Sequence, residues 1–155
     1  MCESILNVAK FILDKLGYVS TMKLQKLAFY SQAYALVTTG APLFDDDFEA
    51  WKNGPVSPRL YSYHRHRYII GSEDLHVDTV RPYVKYASEE IINTVLNAIG
   101  SYDGNQLSSL THNEQPWISA RGTCAPGASC STVISKGSIR DFYSRSVPGN
   151  PLFSD

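Results

Sequence analysis

Residues 21–39 leave no polar stripe on which a helix could meet water. At helical spacing Leu24, Leu27, Ala28, Ser31 and Ala35 share one face. Phe29 and Leu36 fall on a second face, and Tyr30 and Val37 on a third. A helix apolar on nearly every side has to be enclosed, so this segment predicts the buried centre of a helical bundle. Ser20 or Thr21 can cap its first N–H groups, and Gly40 with Pro42 ends it. The chain has 155 residues, enough for one domain to surround such a helix without a metal or a disulfide framework.

The flanking segments supply the surround. Residues 4–16 carry an apolar stripe of Ile5, Val8, Ala9, Ile12 and Leu16, with Gly17 as a stop. Turn residues crowd the 41–58 stretch, and between them Phe48-Glu49-Ala50-Trp51 alternates as a short strand does. Ser57-Pro58 then predicts a helix start, on a helix carrying Leu60, Tyr61, Tyr63, His64 and Tyr68. Residues 71–87 have no period and predict a loop. Ser88 is expected to cap a helix with Glu89 and Glu90 in its first turn; Ile91, Ile92, Val95, Leu96 and Ile99 form its apolar face, and Gly100 closes it. Short helices are expected over 105–110 and 114–120, a small-residue loop over 122–131, and a last helix from a Ser135 cap to Tyr143. The expectation is one mainly α domain over 1–147, a compact helical bundle around a central buried helix with room for a small β-hairpin, followed by a C-terminal tail over 148–155.

Charge and cysteine usage narrow the function classes. The net charge is −1, and the dense basic run His64-Arg65-His66-Arg67 is offset by Asp45-Asp46-Asp47, so no direct nucleic-acid partner is expected. Nothing approaches the roughly 20 uninterrupted apolar residues of a membrane span, and no membrane partner is expected. Glu3, Lys10 and Asp14 interrupt the apolar residues near the N-terminus, unlike a signal peptide. Cys2, Cys124 and Cys130 are an odd set without a regular framework, which predicts a reducing compartment and a cytoplasmic protein. Ten tyrosines, six phenylalanines and two tryptophans are the unusual figure; such side chains serve cores and also interfaces.

Candidate chemistry is thin. His64 with His66, or His112 with Cys124 and Cys130, match no paired zinc spacing, so neither metal nor cofactor is expected. Cys130 and His112 could form a thiolate pair, but no third group is specified to orient them, and the reading is of a protein that is not an enzyme. Thr111-His112-Asn113-Glu114 fits better as the end of one helix and the start of another, with Asn113 as cap and Pro116 in the first turn. The basic run fits a solvated helix face. It also fits a contact surface, because Tyr61, Arg65 and Tyr68 would fall on one side at helical spacing, and Tyr and Arg are enriched where proteins bind one another.

Two stretches carry a family resemblance. One is Lys23-Leu24-Gln25-Lys26-Leu27-Ala28-Phe29-Tyr30-Ser31-Gln32-Ala33-Tyr34, then Pro42-Leu43-Phe44 and Glu49-Ala50-Trp51-Lys52-Asn53-Gly54-Pro55-Val56. The other is Leu110-Thr111-His112-Asn113-Glu114-Gln115-Pro116-Trp117, then Ile134-Ser135-Lys136 and Tyr143. In order and spacing these resemble the Panacea domain of SocA-like, phage-associated GepA-like antitoxins, over about residues 21–143. Asn53 departs from the bulkier residue usual there, and 123–131 reads as a loop particular to this chain.

The resemblance implies an antitoxin that binds and neutralises a toxin encoded nearby, or a proteolytic adaptor that hands the toxin to an ATP-dependent protease. A small Cys/His hydrolase is the rival from another class. Residues shared by binders of many toxins should mostly hold the scaffold: Leu24, Gln25, Lys26, Leu27, Tyr30, Glu49, Gly54, Pro55, His112, Pro116 and Trp117. Trp51, Lys52, Asn53, Tyr61, Arg65 and Tyr68 are the candidates for partner contact.

Overall fold

The Ser20 hydroxyl accepts the Lys23 N–H at 3.0 Å and opens helix α2, Thr21–Thr39, which Gly40 ends in the left-handed conformation. In this computed structural model, which describes residues 2–154, the run from Leu24 to Ala33 is wholly buried. Helices α1 (Ile5–Leu16), α4 (Tyr86–Ile99), α5 (Gly104–His112) and α7 (Lys136–Tyr143) pack around α2. A core of Leu, Ile, Phe and Tyr side chains joins them. The fold is therefore mainly α with small β elements, as the all-round apolar helix requires. No helix among the described residues is long and apolar enough to cross a membrane.

Two small ladders brace this bundle. Strands β1 (Val19–Ser20) and β4 (Ile69–Ile70) pair antiparallel. Strands β2 (Phe48–Trp51) and β3 (Gly54–Val56) form a hairpin with Trp51 opposite Gly54, and β5 (Val133–Ile134) adds to the far edge of β2. Lys52 and Asn53 make the two-residue turn. Helix α3, Pro58–His64, follows with Ser57 as its cap, and α6 is Gln115–Arg121.

Several expectations are corrected here. Helix α3 stops at His64: Arg65 is extended and His66 has φ 71°, because the chain must straighten to pair with β1. Thr21 fixes that pairing, its N–H donating to the Tyr68 carbonyl at 2.9 Å and its hydroxyl to the Arg67 carbonyl at 3.2 Å. Tyr61, Arg65 and Tyr68 thus share no helical face. Helix α4 starts at Tyr86, ahead of Ser88. Its cap comes from far along the chain, since the Glu3 carboxylate accepts the Lys85 N–H at 2.9 Å and the Ser88 hydroxyl at 2.7 Å. Asn113 closes α5 and does not cap α6.

The closing segment, expected as a tail, folds back so that two of its described residues reach the interior. Asn150 and Phe153 are buried, and the Phe153 ring lies 4.6 Å from that of Tyr143. Cys124 and Cys130 are joined by a disulfide across a loop of small residues, while Cys2 is free and exposed. Arg121 gathers that loop, donating to the carbonyls of Ala125 at 2.6 Å and Ala128 at 3.0 Å, and to Ala50 of β2 at 3.1 Å.

Candidate functional site

The hairpin turn, the start of α2 and helix α3 enclose a groove of about 200 Å³. Trp51 and Tyr61 form an aromatic wall, their rings 5.0 Å apart and steeply inclined, and Tyr61 in turn meets the His64 ring edge-on at 5.5 Å. Lys52 and Asn53 stand exposed on the rim. Lys26 and Gln25 line the inner side. The turn is anchored from behind: the Ser108 hydroxyl donates to the Asn53 carbonyl at 2.7 Å, and Trp117 Nε1 donates to the Trp51 carbonyl at 2.7 Å. Trp51 Nε1 donates to the Glu49 carboxylate at 2.9 Å, which fixes the ring's orientation.

Gln25 shows why an amide belongs in this wall. Its Oε1 accepts the Ser57 N–H at 2.9 Å, its Nε2 donates to the Ser57 carbonyl at 3.3 Å, and the same Nε2 lies 2.9 Å from His64 Nε2. One side chain therefore satisfies both peptide groups at the head of α3 and sets the imidazole, which must accept from it. Seven residues along α2, Gln32 repeats the device: its Oε1 accepts the Leu43 N–H at 2.7 Å and its Nε2 donates to the Phe44 carbonyl at 2.8 Å.

Lys26 is the anomaly. It is 1% exposed, and among the described residues its ammonium has neither an ion pair nor a hydrogen bond. Burial alone pushes its pKa down, from 10.5 to about 7, because most of the water around the charge is removed and no carboxylate replaces it. Gly54 makes room for it. A Cβ there would stand 2.7 Å from Lys26 Cε and 2.8 Å from Thr111 Oγ1, and the backbone φ of +118° also calls for glycine. Burial lowers the His64 and His112 pKa values, and the Lys26 charge lowers both further.

Behind the groove a second polar centre ties the bundle. Glu114 is buried; Oε1 accepts the hydroxyls of Tyr30 at 2.6 Å and Tyr143 at 2.5 Å, and Oε2 accepts the Asn150 amide at 2.8 Å. Burial raises the Glu114 pKa, and these three donors work against that rise. Desolvation carries both tyrosines well above their ordinary range. Helix α2, helix α7 and the closing segment thus meet at this one carboxylate.

Of the residues expected to contact a partner, Trp51, Lys52, Asn53 and Tyr61 meet in the groove. Arg65 is exposed outside it, and Tyr68 belongs to a separate hollow beside Tyr18 and Lys23. Leu24, Leu27 and Tyr30 are core, Pro55 pairs with Ala50 in the hairpin, and Pro116 is buried in the first turn of α6. His112 stacks on Trp117 with ring centres 4.1 Å apart, and its Nε2 has no partner among the described residues. Glu114, Arg121 and Asn150 carry no mark of their roles in the sequence, where nothing local distinguishes a buried acceptor or a loop clamp. Cys130 is paired with Cys124, and its sulfur lies beside the Arg121 carbonyl and the Thr132 hydroxyl. Among the described residues no three His, Cys, Asp or Glu side chains gather as metal ligands.

The all-round apolar α2 from Leu24 onward, the Trp-bearing hairpin laid across it and the second Trp that clamps the hairpin all lie within residues 24–118. The family model for the antitoxin SocA-like, Panacea domain matches residues 24–118, and the chain belongs to that family. It is similar to antitoxin SocA of Caulobacter vibrioides (strain NA1000 / CB15N), with 34% identity over 125 residues, covering 71% of this chain and 66% of that protein. The chain thus spans just under two thirds of the relative's length. No solved structure matches it.

Proposed function

We propose that this chain is an antitoxin that neutralises a toxin encoded nearby by direct protein–protein contact, and that the Trp51–Tyr61 groove is part of the contact surface. The observation that carries the reading is the placing of half-exposed aromatic rings on a rigid, twice-anchored hairpin, inside a domain of an antitoxin family. Rigid aromatics that lose little freedom on docking are the side chains from which binding hot spots are built. The acting unit is one Panacea domain that includes the folded closing segment, and the encounter takes place in the cytoplasm where the toxin is made. Neutralisation is by masking and not by turnover of a substrate.

Co-expression tests the reading. A cell arrested by the product of the adjacent gene should resume growth when this chain is supplied, with the toxin level unchanged. A falling toxin level that depends on an ATP-dependent protease would favour the adaptor alternative. Failure to restore growth would remove the antitoxin role.

A further inference from the structure

A scaffold that needed only to fill the space beneath the hairpin would do better with methionine or leucine than with an unpaired lysine, since burying a charge without a partner is costly. Lys26 nonetheless lies on the groove's inner side, with Gly54 holding open the volume that its Cε and Nζ occupy. The chain's own carboxylates nearby are already committed. Glu49 accepts from Trp51 Nε1 and Glu114 accepts from Tyr30, Tyr143 and Asn150. Of the other charged or titratable groups on the packed elements, Lys23 on α2, Arg59 and His64 on α3, His112 on α5, Lys52 on the turn and Arg121 on α6 are cationic or imidazole, and Tyr61 on α3 brings a phenol to the groove wall. At about 200 Å³ the groove is smaller than the roughly 300–1,000 Å³ of small-molecule sites, and suits a single side chain.

We propose that the groove is a receptor for an acidic side chain of the partner protein, a glutamate or aspartate that passes between Trp51 and the turn and pairs with Lys26. This deepens the direct-contact reading and rests on it. The incoming carboxylate supplies the missing counter-charge to an ammonium whose stem is buried, and docking of the partner over the groove then strengthens the charge-assisted hydrogen bond. The amine is partly neutral at neutral pH, so association draws a proton from the buffer onto Nζ. No covalent bond forms.

Two measurements decide it. Calorimetry of the adjacent gene's product binding to the full chain at pH 8, in buffers of different ionisation enthalpy, should show uptake approaching one proton. Lys26→Met should abolish that uptake and weaken binding about 30-fold or more. Uptake persisting in the folded K26M protein, or an unchanged Kd, overturns the proposal. The partner-free arm uses lysine labelled at Cε and observed by NMR. Terminally blocked glutamate should raise the Lys26 titration midpoint by half a pH unit or more, whereas blocked glutamine should not. No shift with glutamate, an equal shift with glutamine, or an equal shift with inorganic phosphate overturns the proposal. This arm needs neither the partner nor a folded variant. If the adjacent gene's product fails to bind at all, the antitoxin reading falls, and the NMR titration still decides whether Lys26 is a carboxylate receptor.

Discussion

Trp117 Nε1 donates to the carbonyl of Trp51 at 2.7 Å, joining the two tryptophans of the chain across 66 residues of sequence. This bond ties α6 to the end of β2 just where the hairpin turns, so the ring of one tryptophan is presented by the backbone contact of the other. Trp117→Phe keeps most of the apolar contact and removes the donor. It should destabilise the fold by about 1 kcal/mol, the net worth of the lost hydrogen bond. Denaturant unfolding with the midpoint shifted and the slope retained is the expected readout.

Gly54 resists replacement for two independent reasons, its φ of +118° and the Cβ contacts of 2.7 Å to Lys26 Cε and 2.8 Å to Thr111 Oγ1. Gly54→Ala should cost about 2 kcal/mol or more in thermal or chemical unfolding. Lys26→Met should not rescue it, because the Thr111 contact and the backbone strain remain.

Glu114→Gln tests the second polar centre. A glutamine can still accept both tyrosine hydroxyls, but its NH₂ then faces the Asn150 amide. Asn150 cannot simply flip, since its Oδ1 accepts the Leu152 N–H at 3.0 Å. A loss of about 1–3 kcal/mol is expected, with early protease cleavage in the 148–154 segment as the local sign.

Lys26 makes stability depend on pH in a defined direction. Its folded pKa of about 7 lies below the ordinary 10.5, so between these values the unfolded chain holds a proton that the folded chain does not. Stability from this group therefore rises with pH across that window, by up to about 1.4 kcal/mol per unit, and is lowest below pH 7 where both states are protonated. Lys26→Met should be more stable than the wild type at neutral pH and should lose the rise between pH 7 and 9. A wild-type curve that falls across that window would contradict the burial of an unpaired amine.

The sequence made α2 legible because a helix without a polar face has only one place to go. The strand Phe48-Glu49-Ala50-Trp51 could be read from its alternation, whereas Gly54 and Pro55, which have the composition of a turn, lie in β3 and the turn itself is Lys52-Asn53. Strands β1, β4 and β5 could not, as two residues carry no period and each is defined by its partner. The start of α4 is set by Glu3, whose carboxylate reaches Lys85 and Ser88 only after the chain has folded. Local capping rules favoured Ser88 for the same reason. Arg65 and Tyr68 were placed on the α3 face by a helical period that the β1–β4 ladder interrupts. Lys26 was legible as a motif residue, but its burial without a partner is a property of the hairpin lying over it.

The central claim is that this chain works by gripping another polypeptide through the groove. Titration calorimetry of the adjacent gene's product against the wild type, Tyr61→Ala, Asn53→Arg and the remote control Tyr86→Ala tests it most directly. A stoichiometric complex should form, weakened about 10-fold or more by each groove variant and unaffected by the control. No complex with the wild type, or groove variants that bind as it does, would contradict the account.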